Sequence, residues 1–208
     1  MSPTVCLVRH GHRLDFIQPE WFETANLPYD PPLSALGWQQ SLELVTKLQN
    51  FHIQKIFTSP YLRTIQTAYP IAHSLGLSIQ VEEGLREWLH PEWSPSLPET
   101  WPIEILASQE WPIDLGYQSQ ISPTYSETID QLRTRAAVAV QNIVNLSQDS
   151  VLIVAHKHLL LGMIAALTDT GAMVQESEFA AAAVMVLTAP QRAGEPWQIA
   201  SLDASNLT

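Results

Sequence analysis

Scarce cations and histidines meet at a few points of this chain. Arg9-His10-Gly11-His12-Arg13 is one such cluster, Ser59-Pro60-Tyr61-Leu62-Arg63 a second and His156-Lys157-His158 a third. Leu85-Arg86-Glu87 adds a carboxylate. Together these residue types suit phosphoryl transfer. Arginine forks match phosphate oxygens in bidentate fashion and stay charged at any working pH. A neutral imidazole can attack phosphorus and carry the phosphoryl group covalently. A glutamate can protonate the leaving oxygen and later deprotonate water. Cations and helix N-termini can neutralise the phosphate without a metal ion.

This chemistry requires the clusters to converge, and the pattern between them supplies the means. Residues 4–8, 55–58, 77–81 and 151–155 are short apolar runs that read as strands, and each precedes one of the clusters. In open α/β sheets ligands bind beyond the carboxyl ends of the strands. Between the strands lie helical patterns. Ser34 is an N-cap ahead of Trp38, Leu42, Val45 and Leu48. Ser59 is read as an N-cap with Pro60 at the first helical position, followed by a face of Leu62, Ile65, Tyr69 and Ala72, a kink at Pro70 and a stop at Gly76. Ser126 is placed to cap a helix with a stripe at Ile129, Leu132, Ala136, Val140 and Ile143. Residues 158–167 continue as a helix, and 182–187 and 197–202 read as further strands. The alternation predicts an α/β fold, a three-layer α/β/α sandwich around a mostly parallel central sheet.

With 208 residues the chain suits one domain over 1–208. The stretch at about 83–125 breaks the periodicity. It holds Trp88, Trp93, Trp101 and Trp111 among many prolines, and reads either as an insertion or lid over a site or as a satellite cluster packed on the surface. The net charge of −11 disfavours nucleic acid and anionic membranes as partners. The apolar run at 151–168 carries His156, Lys157 and His158, which argues against a membrane span. Arg9 and His10 fall where the apolar core of a secretory signal would lie. The single cysteine, Cys6, excludes an internal disulfide framework, and a reducing, cytoplasmic setting is expected.

The motifs in order resemble those of the histidine phosphatase superfamily, also called phosphoglycerate mutase-like. Arg9-His10-Gly11 matches its signature triplet, and Asp30-Pro31-Pro32-Leu33-Ser34 with Gly37 and Gln40 resembles its D-x-P-L-[ST]-x-x-G-x-x-Q segment. Ser59-Pro60 with Arg63, Thr67 and Ala68 resembles S-P-x-x-R-x-x-x-T-A, and Val154-Ala155-His156 matches the second histidine. Ser126-Glu127 and Asp130 ahead of Arg133 resemble its E-S-x-x-D-x-x-x-R helix loosely. The resemblance implies a phosphoglycerate mutase-like fold and no cofactor. It also implies His10 as nucleophile, Arg9, Arg63 and His156 as the phosphate pocket, and Glu87 as proton donor, with Glu82 and Glu83 as nearby alternatives. Arg13 resembles an additional substrate-binding arginine of the branch with ecdysteroid-phosphate phosphatases and the phosphatase domains of T-cell ubiquitin ligand proteins.

Two positions depart from the family pattern. His12 stands where an acidic or amide residue is usual, and Lys157 where a small one is. Lys157 either adds a cation for a second anionic group of the substrate, crowds the pocket or points away from it. The resulting expectation is a metal-independent phosphatase acting on a small-molecule or protein phosphate monoester through a phosphohistidine. A homodimer is left open. The alternatives are a phosphoglycerate mutase-type phosphotransferase and a catalytically silent phospho-ligand-binding module. The pairs His10/His12 and His156/His158 also have metal-ligand spacing, with Asp15 the carboxylate nearby, but the flanking arginines would repel a dication, so no metal is expected.

Overall fold

β1 (Thr4–Arg9) alternates its side chains between two helical layers, and this alternation sets the architecture. Val5 and Leu7 face one layer; Cys6 and Val8 face the other. The structure is a computed structural model and describes residues 2–147, 149–168, 179–192 and 194–203. After β1 follow α1 (Trp21–Thr24), α2 (Ala35–Leu48), β2 (Lys55–Thr58), α3 (Leu62–Leu75), β3 (Ile79–Val81) and α4 (Ile103–Ser108). Then come α5 (Ile129–Leu146), β4 (Val151–Ala155), α6 (Lys157–Leu167), β5 (Val184–Thr188) and β6 (Gln198–Asp203). Single 3-10 turns occupy Leu14–Phe16 and Glu83–Leu85.

The six strands are ordered β3-β2-β4-β1-β5-β6. The first four run parallel, β5 pairs antiparallel with β1, and β6 antiparallel with β5. α5 and α6 cover one face, burying Leu132, Val140, Leu159 and Met163 against Leu7 and Ile153. α2 and α3 cover the other, burying Leu44, Ile65 and Ile71 against Val8 and Leu152. Truncating a fully buried leucine such as Leu44 to alanine costs about 2–5 kcal/mol. This is the expected mostly parallel α/β/α sandwich.

The strand order also positions the chemistry. β4 returns between β2 and β1, so the carboxyl ends of all three stand side by side. The His10 N–H donates to the Ala155 carbonyl at 3.0 Å, and the Ser59 N–H to the Val154 carbonyl at 3.1 Å.

Several local expectations are corrected. α3 is capped by Tyr61 rather than Ser59, and its first N–H, from Leu62, donates to Asp30 Oδ1 at 2.8 Å. A carboxylate from a distant loop therefore does the capping, which releases the Ser59 hydroxyl for other use. α5 is capped by Thr128 in a reciprocal box with Gln131, two residues after Ser126. As expected, α3 includes Pro70 and stops at the left-handed Gly76 at φ 65°. The third strand is shorter than read, Ile79–Val81. Part of the 83–125 stretch packs on the sheet edge. Ile79 donates to the Pro112 carbonyl at 2.6 Å and Asp114 to the Ile79 carbonyl at 2.9 Å, covering β3.

Candidate active site

His10 leaves the end of β1 almost completely buried. Its Nδ1–H donates to the Gly11 carbonyl at 2.8 Å. A carbonyl only accepts, so the neutral ring keeps its lone pair on Nε2. Burial, then Arg63 and Arg9, hold the His10 pKa well below the ordinary imidazole value. The turn after His10 is clamped onto α2. A Cβ at Gly11 would meet the Gly37 carbonyl oxygen at 2.8 Å, so the close approach needs glycine. The Gly11 N–H donates to Thr67 Oγ1 at 3.0 Å, which ties the turn to α3 as well.

His156 is the N-cap residue of α6, so the positive end of that helix abuts the same point. Its ring centroid lies 5.3 Å from that of His10. Its Nε2 is 2.8 Å from Ser59 Oγ and its Nδ1 3.4 Å from Arg63 Nη2. Burial and then Arg63 push its pKa well down too.

Arg63, in the first turn of α3, is 2% exposed, with its guanidinium 4.3 Å from the Tyr61 ring centroid. Nη1 lies 3.8 Å from Asp30 Oδ1. Burial raises the Asp30 carboxyl to about 6, against the pull of Arg63. Arg9 is anchored by Nη1 donating to the Phe179 carbonyl at 2.7 Å. Among the described residues, buried Arg9 Nε and Arg63 Nε and Nη1 have no hydrogen-bond partner. An oxyanion is the ligand such orphaned donors suit.

Glu87 completes the group. Its Oε2 is 3.5 Å from His156 Nδ1. Ligand atoms of His10, Glu87 and His156 all lie within 4.8 Å of one another. Three such donors could hold a divalent cation, but the Arg63 guanidinium already contacts His156, and a second fixed positive charge there opposes a dication. The H-x-H pairs do not converge. His12 Nδ1 is 2.9 Å from Ser34 Oγ, and the His158 ring packs 5.5 Å from the rings of Trp88 and Trp93.

The alternative glutamates are engaged elsewhere. Glu82 accepts from Tyr117, Ser119 and the backbone N–H groups of Gly84 and Gln120. Glu83 pairs with Arg86, which also donates to the Pro98 carbonyl. Arg13 stands at the mouth, held in a fork by Asp15 at 2.9 and 2.5 Å. Lys157 opens α6 half-buried and does not line the cavity above Arg63.

That cavity has a volume of about 380 Å³. Arg13, Arg63 and Glu87 line it with Phe22, Tyr61 and Trp93. A larger hollow of about 920 Å³ lies at the opposite, amino ends of the strands and, among the described residues, has no lysine or arginine in its lining.

Sequence reasoning missed one supporting pair. Arg133 is solvent-exposed beside Asp130, whereas Arg135 is buried in a fork with Glu127. Arg135 donates onward to the carbonyls of Gly84, Arg86 and Glu87, and Glu127 Oε1 accepts from the Leu89 N–H. The pair thus holds both sides of the turn that carries Glu87. The helical spacing of Arg135 from Leu132 and Ala139 on the buried face was its signal.

Residues 5–201 match the family model described as histidine phosphatase superfamily, branch 1. The chain belongs to this superfamily.

Relatives of this superfamily member include ubiquitin-associated and SH3 domain-containing protein A of Mus musculus, 29% identical over 195 residues, 75% of this chain and 31% of that protein. The transcription factor tau 55 kDa subunit of Saccharomyces cerevisiae is 33% identical over 119 residues, 52% of this chain and 27% of that protein. The chain therefore spans about a third or less of these two relatives. Among solved structures, the ecdysone phosphate phosphatase of Bombix mori in complex with tungstate matches with TM-score 0.76 and 22% identity, over 99% of this chain and 94% of that one. A mycobacterial glucosyl-3-phosphoglycerate phosphatase in complex with VO3 matches with TM-score 0.66 and 20% identity, over 98% and 100%. These likenesses establish the phosphoglycerate mutase-like fold. No helix among the described residues is long and apolar enough to cross a membrane.

Proposed function

We propose that this protein is a phosphatase that hydrolyses a phosphate monoester with an apolar or aromatic body, through a phosphohistidine at His10 and without a metal ion. The observation that carries this reading is the Nδ1–H bond from His10 to the Gly11 carbonyl, which leaves Nε2 as a buried lone pair beside Arg9 and Arg63.

Nε2 attacks phosphorus as the ester P–O bond breaks, and the leaving oxygen takes a proton from Glu87. The Glu87 carboxylate then accepts a proton from water, whose oxygen attacks the phosphohistidine. Inorganic phosphate leaves, and His10 and Glu87 return to their starting states. Arg9, Arg63 and His156 hold the nonbridging oxygens throughout, and Arg13 adds positive charge at the mouth. His156 starts neutral. A bound dianion favours its imidazolium, in which Nδ1–H can donate to the phosphoryl group.

Ring walls from Phe22, Tyr29, Tyr61, Trp88 and Trp93 support an apolar leaving group. Among the described residues the lining offers Arg13 and Arg63 as cations, which weighs against a phosphoglycerate mutase needing further charge for a substrate carboxylate. His12 is bonded to Ser34 and does not crowd the phosphate pocket, which weighs against a silent binding module.

The test is hydrolysis of p-nitrophenyl phosphate in EDTA, with alkaline quenching to trap phosphohistidine. The wild type should turn over and accumulate label at His10. His10→Ala should lose about 1,000-fold or more in kcat. Near wild-type hydrolysis by His10→Ala would falsify the nucleophile assignment.

A further inference from the structure

The active-site cavity does not end at its aromatic walls. A second hollow of about 180 Å³ lies behind Tyr29 and Pro98, and both residues line the two spaces. It lies between residues 26–29 and 96–99, beside the active-site cavity across Tyr29 and Pro98. Leu27 and Leu97 give it an apolar flank, and among the described residues Glu99 supplies its one charged side chain.

Two arginines border these two spaces, and each is already matched by a carboxylate: Arg13 is forked with Asp15, and Arg86, which donates to the Pro98 carbonyl, is paired with Glu83. No lysine or arginine occurs between Arg13 and Lys47, or between Arg86 and Arg133. Both lips of the cavity fall in those intervals. Exposed Glu23, Glu92 and Glu99 directly adjoin the lining residues Phe22, Trp93 and Pro98. Beside the cationic cage, the second hollow thus presents an apolar flank and the Glu99 carboxylate. A substrate with a second anionic end meets repulsion there, and one with a cationic end meets attraction.

We propose that the hollow beyond Tyr29 and Pro98 is a substrate subsite for a positively charged group, carried by the phosphate ester on an apolar arm and received by Glu99. The assignment rests on the phosphatase reading above and specifies the far end of its substrate. Glu99 takes no part in the reaction. It acts on binding of the extended ester, so its effect falls on KM.

The experiment compares 4-(ω-aminoalkyl)phenyl phosphates, with arms of two to six carbons, against the matching ω-hydroxyalkyl esters at low ionic strength. Phenyl phosphate serves as the short reference. The wild type should prefer the amine in kcat/KM by about two- to fivefold at one or more arm lengths, as for a single exposed ion pair. High salt should shrink that preference. Glu99→Gln should abolish it while leaving phenyl phosphate hydrolysis unchanged, and Glu99→Lys should favour ω-carboxyalkyl esters instead. Equal rates for amine and alcohol at every length, or a preference that survives Glu99→Gln, would overturn the subsite while leaving the phosphatase reading intact. Failure of the wild type to hydrolyse phenyl phosphate would overturn both.

Discussion

Ser59 Oγ stands 2.8 Å from Nε2 of His156, across 97 residues of sequence. Arg63 can only donate to the other nitrogen, Nδ1, so the neutral ring carries its proton on Nε2 and gives it to the serine hydroxyl. The serine therefore keeps Nδ1 turned toward Glu87 and the incoming phosphate. Removing the hydroxyl leaves a buried N–H without a partner. Ser59→Ala should lower kcat/KM for p-nitrophenyl phosphate by about tenfold, mostly through KM, and Ser59→Thr should restore it. Unchanged kinetics in Ser59→Ala would show that His156 needs no such anchor.

Acid should affect activity and stability differently. Since His10 is held well below the ordinary imidazole value, its nucleophilic form persists below about pH 6.5, and kcat/KM should show no acid limb from His10 near that value.

For stability, His10 and His156 of the unfolded chain bind protons below about pH 6.5 while the folded ones resist. The unfolded state then holds more protons, so the melting temperature should fall as pH drops from about 7 to 5. Asp30, raised to about 6, has the opposite sign: it favours the fold in acid and loses that contribution as pH rises through 6. Asp30→Asn should make the acid fall steeper, as read by thermal unfolding at pH 5, 6 and 7. A shallower fall would contradict the assignment.

Loosening the turn that carries Glu87 should appear as leaving-group dependence. Glu127→Gln weakens the fork to Arg135, which holds the carbonyls of Gly84, Arg86 and Glu87. Phenyl phosphate needs a proton on its leaving oxygen more than p-nitrophenyl phosphate does. Its kcat should therefore drop by about tenfold more in Glu127→Gln than that of the nitrophenyl ester. An equal loss on both esters would indicate general damage to the fold, and melting temperature measured alongside would report it.

Chelation should leave turnover unchanged. Arg63 and Arg9 beside the trio of His10, Glu87 and His156 give the site fixed positive charge that suits an anion and opposes a dication. Exhaustive dialysis against EDTA should therefore preserve kcat within about twofold. Loss of activity, restored by a divalent metal, would reassign those three side chains as ligands.

The grouping of the proposed phosphate-binding residues was largely legible in the chain itself. Strand-like runs end at Val8, Thr58 and Ala155, and parallel strands bring such ends to one edge, so His10, Arg63 and His156 could be grouped from the sequence. Glu87 was singled out from Glu82 and Glu83 only through the family resemblance, because local pattern does not reveal which carboxylate faces inward. The supports were less visible. Ser59 looked like a helix cap because Ser-Pro commonly is one, yet Asp30 caps that helix from a loop 32 residues away.

What the sequence alone determined is the set of reactive groups, the strands that end beside them and the acidic surroundings. Their order along the chain follows from local periodicity, which needs only neighbouring residues. Tertiary structure decided the protonation pattern and the aim: Nδ1 of His10 on the Gly11 carbonyl, Nε2 of His156 on Ser59, and Arg135 beneath the turn that carries Glu87. Ring orientation and proton position depend on hydrogen-bond partners and charges within a few ångströms. Apart from the Gly11 carbonyl, those partners arrive from distant segments once β4 inserts between β2 and β1.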